Sequence, residues 1–252
     1  MAPSQLCKRY QPMLTIRKSH ERGRTQFPWL DSWHSFSFGD YRDPQWMGFR
    51  SLRVINDDIV APRSGFDPHP HRDMEIISVV LEGALTHGDA IGDGHREVLR
   101  PGEVQRISAG TGMVHSEHNL DPSRPVRLLQ IWLRPDRPRH EPRYGQKAFD
   151  LWTSGLWTAL VAPEGRAGDT GALEIHQDAW LYSTRIAPGA SRSRDIAATR
   201  AAWVQIVTGK ARVNGRDVTA GDAAAIENES NVTIEAAPDS KEPVDVLLFD
   251  LA

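Results

Sequence analysis

The chain has 252 residues, of which 39% are hydrophobic and 25% charged, enough to bury the core of one large domain or two smaller ones. A formal net charge of -3 provides no basic footprint for nucleic acid or an anionic membrane surface. Cys7 is the only cysteine, which excludes a disulfide framework, and no apolar run is long enough for a membrane span or a signal peptide. We therefore expect a globular cytoplasmic protein.

Short apolar runs follow one another along the chain, separated by many of the 17 prolines and 20 glycines. This pattern favours strands and turns over long helices. In chain order, strands are predicted at Ser51–Ile55, Ile76–Leu81, Glu103–Ser108, Arg127–Leu133, Leu181–Ile186, Trp203–Val207, Ala211–Val213 and Val244–Asp250. The spacing predicts an all-β protein, a sandwich or barrel of antiparallel strands.

A proline-rich, charged segment from Pro135 to Gly145 interrupts the series of strands. Such a composition is typical of a linker or of a surface crossing between two units. We therefore predict an N-terminal domain at residues 1–140 and a C-terminal domain at residues 141–252.

The two predicted domains share a faint sequence pattern. Val79–Gly83 resembles Gln205–Gly209, and Leu99–Glu103 resembles Val218–Asp222. Each half has a strand that ends in glycine, then a hairpin, then a glycine turn before the next strand. The pattern predicts an internal duplication.

Two pairs of potential metal ligands lie in the first half, His69 with His71 and His115 with Glu117. Their i, i+2 spacing puts both side chains of a pair on one face of a strand. On facing strands, the pairs would bring three imidazoles and one carboxylate around one point and leave coordination positions open for substrate. These ligand types bind Fe, Mn, Co, Ni, Cu and Zn alike, so they do not select the metal.

The duplication predicts which half binds the metal. Counted from the matching glycines, the four positions correspond in the second half to Asp195, Ala197, Ile234 and Ala236. None of these repeats the ligand type of the first half, so we expect only the first half to bind metal. Pro68 and Pro70 lack backbone donors, which predicts that the strand of His69 lies at a rim or sheet edge.

Glu75 is a second candidate for the carboxylate ligand, four residues after His71. Both acids cannot join three histidines without crowding the open positions, and we favour Glu117 for its spacing from His115. The other histidines have simpler interpretations: His118 should point away from Glu117, a solvated position is predicted for His20, His95 and His140, and a half-buried, hydrogen-bonded position for His34, His87 and His176.

The ordered glycines, histidines and acids around both pairs resemble the two motifs of the cupin superfamily. Longer segments resemble the pirin family within it, in particular its shorter bacterial members described as quercetin 2,3-dioxygenases. The matching segments are Trp29–Phe38, Gly48–Asp58, His69–Glu75, Ser108–Glu117 and Gln130–Trp132. The resemblance is specific over residues 16–149 and continues more loosely to the C-terminus.

The resemblance implies a bicupin, with two packed antiparallel β-barrel (jelly-roll-like) halves in one chain, the first holding one metal ion. It carries the family ligands onto His69, His71, His115 and Glu117, with iron(II) the expected metal. The activity it implies is metal-dependent oxidation by O2 of a flavonol such as quercetin, with Glu117 accepting the substrate proton.

Two other functions remain open at this stage. The first is a non-catalytic metal- or redox-sensing protein that binds a protein partner in transcriptional or stress regulation. The second is a cupin isomerase or another small-molecule enzyme, because folds of this class host many chemistries. Direct DNA contact is disfavoured by the low net charge.

Overall fold

The computed structural model describes residues 13–89 and 95–252, so Cys7 lies outside the described residues. Two short 3-10 helices, Ser19–Glu21 and Gly168–Thr170, accompany the strands. The strands of the first part of the chain are β1 (Met13–Arg17), β2 (Gly23–Phe27), β3 (Leu30–His34), β4 (Leu52–Val60), β5 (Ser64–His71), β6 (Glu75–Glu82), β7 (Leu85–Asp89), β8 (His95–Leu99), β9 (Glu103–Ser108), β10 (Met113–Asn119), β11 (Val126–Leu133) and β12 (Arg143–Ala148). Those of the second part are β13 (Thr158–Pro163), β14 (Leu173–Ile175), β15 (Ala179–Ile186), β16 (Ser191–Asp195), β17 (Ala201–Ile206), β18 (Lys210–Val213), β19 (Arg216–Thr219), β20 (Ala223–Glu227), β21 (Asn231–Ala236) and β22 (Val244–Leu251).

Within these described ranges, no helix has the length and apolar character needed to cross a membrane. The all-β prediction is confirmed, and each of the eight predicted strands coincides with an observed one, although most ends differ by one or more residues. The largest difference is at β4, which continues to Val60 because Asn56, Asp57 and Asp58 find side-chain hydrogen-bond partners on neighbouring strands.

Each half consists of one seven-stranded and one four-stranded sheet. The first half has the orders β12-β9-β6-β11-β4-β3-β2 and β5-β10-β7-β8, and the second has β1-β20-β17-β22-β15-β13-β14 and β16-β21-β18-β19. The two orders correspond position by position, with β6 matching β17 and β11 matching β22 at the centre of the seven-stranded sheets. At one edge they differ, because β14 runs parallel to β13 whereas β2 runs antiparallel to β3. The antiparallel jelly-roll-like bicupin architecture is thereby confirmed.

The halves exchange one strand each. β1 pairs with β20 of the second half, and β12 pairs with β9 of the first half. The last residues of the predicted linker, from Arg143 onward, are therefore in a strand of the first half rather than in a surface crossing. The domain limits of 1–140 and 141–252 stay a prediction. The strand pairing shows only to which sheet each strand belongs.

The core between the halves lies between the two seven-stranded sheets. Trp203 of β17 packs there against Phe36, Trp46 and Phe49 of the first half, with ring centroids 4.8 to 5.9 Å apart. Strands such as β6 and β22 are nearly continuous apolar runs because one face meets this shared core and the other meets the interior of their own half.

The predicted duplication is visible at two glycines. Gly83 and Gly209 have φ angles of 78° and 77°, a left-handed conformation that favours glycine. A Cβ at Gly83 would lie 2.6 Å from the carbonyl oxygen of Pro125, and one at Gly209 would lie 2.9 Å from that of Pro243. The same turn in the same environment recurs in each half.

The pairing also corrects the predicted counterparts of the ligands. His87 lies opposite Glu117, and Val213 lies opposite Ile234, so Ile234 is the counterpart of Glu117 and not of His115. The glycine offsets fail there because Glu117 lies 15 residues after Gly102, whereas its counterpart Ile234 lies 13 residues after Gly221. The corrected positions, taken from the pairing of β16 with β21, are Arg194, Ile196, Val232 and Ile234, and three of these are buried apolar residues.

Candidate metal centre

The two ligand pairs lie on strands β5 and β10, which are hydrogen-bonded neighbours in the four-stranded sheet. The sequence predicted only that the two pairs lie on facing strands. His69 lies directly opposite His115 in the pairing, and a register shift follows between His115 and Glu117. β5 is the outer strand of its sheet, as the prolines beside His69 predict.

Three imidazoles converge at this edge. The ring centroids of His69, His71 and His115 are 4.5 to 4.8 Å from one another, and one nitrogen from each ring lies within 4.8 Å of the others. His115 is 2% exposed, whereas His69 and His71 are half-buried. The triad therefore has a buried side and a side that solutes can reach.

The ring nitrogens of this triad suit a metal ion. The backbone carbonyl of Asp67 lies 2.8 Å from Nδ1 of His69 and can only accept a hydrogen bond, which leaves Nε2 as the basic nitrogen. Both ring nitrogens of His115 are buried without a hydrogen-bond partner among the described residues. Buried polar atoms of this kind call for a partner, and a divalent cation supplies it.

Burial lowers the pKa of two of these rings. The pKa of His71 falls to about 4, mainly by desolvation and then by repulsion from His69. The pKa of His115 falls to about 2, again by desolvation first and then by repulsion from His69, His71 and His87. Neutral imidazoles at ordinary pH are the form that binds metal.

Glu117 lies deeper, beside His115 and His87, and a carboxylate oxygen lies within 4.8 Å of a ring nitrogen of each. Its donors are neutral: Gln130 Nε2 is 2.8 Å from Oε2, and Gln105 Nε2 is 3.2 Å from Oε1. Desolvation raises the pKa of Glu117 to about 7, and hydrogen bonds from Gln105, Ser78 and Gln130 oppose that rise. The carboxyl group can therefore exchange a proton near neutral pH.

Glu75 lies outside both clusters of potential ligands in the described part of the chain. Its carboxylate accepts a hydrogen bond from the Ser108 hydroxyl at 2.7 Å. Desolvation raises the pKa of Glu75 to about 7, against the opposing effects of Ser108 and Arg106. This acid belongs to the interface between the halves.

Four other histidines are more deeply buried than predicted. Two of them, His34 and His176, were expected to be half-buried but are 1% and 7% exposed. His140 was expected in solvent, but it is 7% exposed and stacks on His176 with ring centroids 3.7 Å apart. His87 was expected to be half-buried, but it is fully buried and its ring centroid is 5.3 Å from that of His115. His118 points away from Glu117, as predicted.

Sequence reasoning missed the amides and the hydroxyl that hold Glu117. Ser78, Gln105 and Gln130 come from three different strands, and their residue types carry no local motif. Alternation along β6, β9 and β11 places each of these side chains on the interior face of its strand. Only the pairing of these strands brings the three side chains together. An aromatic group was also missed: Trp132 contacts His71 edge to face at 5.0 Å, and Phe38 contacts Trp132 at 5.4 Å.

A duplicated jelly-roll-like fold with three imidazoles and a buried carboxyl in one half defines a bicupin with one candidate metal centre. Sequence comparison agrees: the pirin family profile matches residues 15–133, and the profile of a quercetinase C-terminal cupin domain matches residues 160–251. The chain belongs to the pirin family.

Individual relatives cover almost the whole chain. A quercetin 2,3-dioxygenase of Escherichia coli K12 is 43% identical over 239 residues, which is 95% of this chain and 99% of that protein. The crystal structure of the bacterial pirin YhhW from E. coli in complex with nickel(II) is 42% identical, has a TM-score of 0.86, and covers 95% of this chain and 99% of its own. A quercetin 2,3-dioxygenase structure from Acinetobacter baumannii, 16% identical with a TM-score of 0.75, covers 94% and 85% and shares the fold.

Proposed function

We propose that this protein is a metal-dependent dioxygenase that opens the central ring of a flavonol such as quercetin. The observation that carries the proposal is the half-buried imidazole triad with a carboxyl group of raised pKa beside it. The names of the relatives support the same substrate class.

The residues proposed to hold the ion are His69, His71, His115 and Glu117. The first three already converge, and the buried ring nitrogens of His115 lack hydrogen-bond partners among the described residues. A divalent ion held there would supply Lewis-acid stabilisation of a substrate oxyanion and a route for O2 chemistry. Iron(II) is the metal proposed from the family resemblance, and the nickel complex of the E. coli relative supports a divalent ion.

Glu117 is proposed as the acceptor of the substrate hydroxyl proton. A base is most effective when its pKa is close to the working pH, and the pKa of Glu117 is about 7. Gln105 and Gln130 hold the two carboxylate oxygens in place before and after the transfer. They also keep the group buried, which excludes water from the proton acceptor.

Aromatic side chains beside the triad suit a planar aromatic substrate. Trp132 lies against His71, and Phe66 lies 6.2 Å from His69, so apolar ring surfaces flank the two half-buried ligands. Such surfaces would hold a flavonol by stacking and edge contacts while its hydroxyl group points at the imidazoles.

The test is aerobic incubation of quercetin with protein loaded separately with Fe, Mn, Co, Ni or Cu. We expect loss of the flavonol absorbance, uptake of one O2 per substrate and release of one carbon monoxide, with the remaining atoms in the ring-opened ester. His71→Ala should abolish this, and His118→Ala, on the same sheet but facing away, is the matched control. No turnover with any of these metals would reject the proposal.

A further inference from the structure

A second cluster of potential ligands lies directly behind the triad. One ring nitrogen of His87, one of His115 and a carboxylate oxygen of Glu117 are mutually within 4.8 Å. All three side chains are at most 2% exposed. Donors held about 2 Å from one ion lie somewhat closer together than this, so a small side-chain movement would close the cluster around a cation.

Strand pairing explains why these residues meet. β7 and β10 are neighbours, with His87 opposite Glu117 and Asp89 opposite His115. Side chains two residues apart on a strand share a face, so both pairs point into the interior of the first half. The cluster is thus built into two paired strands rather than into a loop.

Asp89 holds His87 in an orientation suited to a ligand. Its Oδ2 is 2.7 Å from Nε2 of His87, and neither side chain is exposed. A carboxylate that binds one ring nitrogen fixes the proton there, so that Nδ1 carries the lone pair; this is the arrangement that supports metal-bound histidines. The ring of Tyr144 stacks on the ring of His87 at 4.8 Å and restricts its rotation.

Charge also favours a cation at this position. The donors that the described residues offer to Glu117 are a serine hydroxyl and two glutamine amides, all of them neutral. A buried carboxylate without a positive partner is unfavourable, and a divalent ion would supply that charge.

His115 links the two clusters because it is the one residue that they share. Both of its ring nitrogens are buried and lack a partner among the residues described. An ion held either beside His69 and His71 or beside His87 and Glu117 would give a nitrogen of His115 the partner that it lacks.

We propose that the metal ion has two alternative positions: an outer one at the triad of His69, His71 and His115, with Glu117 as the proposed fourth ligand, and an inner one formed by His87, His115 and Glu117. The inner position suits a divalent transition metal ion that accepts nitrogen and oxygen donors, such as Co(II) or Ni(II). The outer position is reachable from solvent through the edge strand β5, whereas the inner position is enclosed. This inference concerns metal binding alone and does not depend on flavonol turnover.

The experiment removes the outer position and asks whether metal still binds. The His69→Ala/His71→Ala double variant, altered at two half-buried positions of an edge strand, is loaded with Co(II), and bound metal is measured by elemental analysis and by the visible absorption of the ion. We expect one equivalent of Co(II) per chain to remain, and the further change His87→Gln to remove it. His118→Ala is the control for an unrelated histidine on β10.

Thermal unfolding checks that each variant is folded. If the triple variant does not fold, Asp89→Asn is added to the double variant instead, because it removes the group that orients His87 while keeping its volume. That change should weaken Co(II) binding at least tenfold in a chelator competition. The proposal is overturned if the double variant binds no Co(II), or if it binds Co(II) equally well with and without the change at His87 or Asp89.

Discussion

Burial acts in opposite directions on the imidazole and carboxyl groups of the first half. It lowers the pKa of His71 and His115 and raises the pKa of Glu117, in each case because the charged form loses its hydration. Near neutral pH the imidazoles are therefore uncharged, and Glu117 exchanges its proton. A single physical cause thus suits both the candidate ligands and the proposed proton acceptor to their roles.

Glu117→Gln tests the proton acceptor at the residue scale. The amide keeps the size of the side chain but cannot take a proton, so we expect turnover of quercetin to fall by about 10²- to 10⁴-fold. The metal content, measured by elemental analysis, should fall much less. Glu82→Gln, at an exposed position in the same half, is the control. Equal loss of metal and activity would show that Glu117 acts as a ligand and not as a base.

Glu75→Gln tests the effect of a buried acid on stability. The ordinary pKa of Glu75, 4.5, rises to about 7 in the folded protein, so the folded state binds this proton more tightly. The free energy of unfolding should therefore decrease as the pH rises from 4.5 to about 7, and the whole cost should be present above that range. Each unit of separation corresponds to about 1.4 kcal/mol.

Glu75→Gln lacks this titration, so the stability of the variant relative to the unmodified protein should improve as the pH rises from 4.5 to about 7. Urea unfolding at several pH values measures the trend. Glu235→Gln, at an exposed position, controls for the loss of one negative charge. A difference that is constant over this range, or that runs the other way, would contradict the expectation.

At the scale of the element, the edge strand β5 is held very close to β10. A Cβ at Gly65 would lie 2.3 Å from the carbonyl oxygen of Glu117 and 2.6 Å from Cα of His118. Only glycine permits this approach, which keeps His69 and His71 beside His115. The strand supplies two of the three imidazoles but has a single partner strand among the described residues, so its position depends on this contact.

Gly65→Ala should push β5 away from β10. We expect a loss of about 1–3 kcal/mol in the free energy of unfolding, together with weaker binding of Co(II) at the triad. Chemical unfolding and metal titration measure the two effects. Ser64→Ala, one residue earlier on the same strand, is the matched control. Loss of stability with unchanged metal affinity would show that the contact does not position the ligands.

For the whole molecule, the exchange of β1 and β12 and the shared core around Trp203 couple the halves. We expect one unfolding transition in scanning calorimetry, and added Ni(II) should raise the temperature of that whole transition although the proposed metal site lies in the first half. Trp203→Ala, which leaves a large cavity, should lower the temperature of this transition. The expected loss in the free energy of unfolding is about 3–5 kcal/mol. Two separate transitions, with only one responding to nickel, would contradict the coupling.

The sequence by itself determined the all-β class, the duplication and the two ligand pairs. Each of these depends on short-range order: alternation along a strand, a glycine at a turn, or two side chains two residues apart on one face. His69, His71 and His115 could be predicted as a group because each pair carries its geometry locally. The same reasoning failed for the counterparts in the second half, since the segment between the turn glycine and the counterpart of Glu117 is two residues shorter there.

Only the tertiary structure decided which groups surround those ligands. Ser78 and Gln130 are 52 residues apart in the chain and meet beside Glu117 through the pairing of β6 with β11. The burial of His140 against His176, the approach of His87 to His115 and the exchange of β1 and β12 likewise depend on how strands pair and sheets pack. Contacts between distant parts of the chain leave no periodic trace in a sequence, because each partner satisfies only its own local pattern.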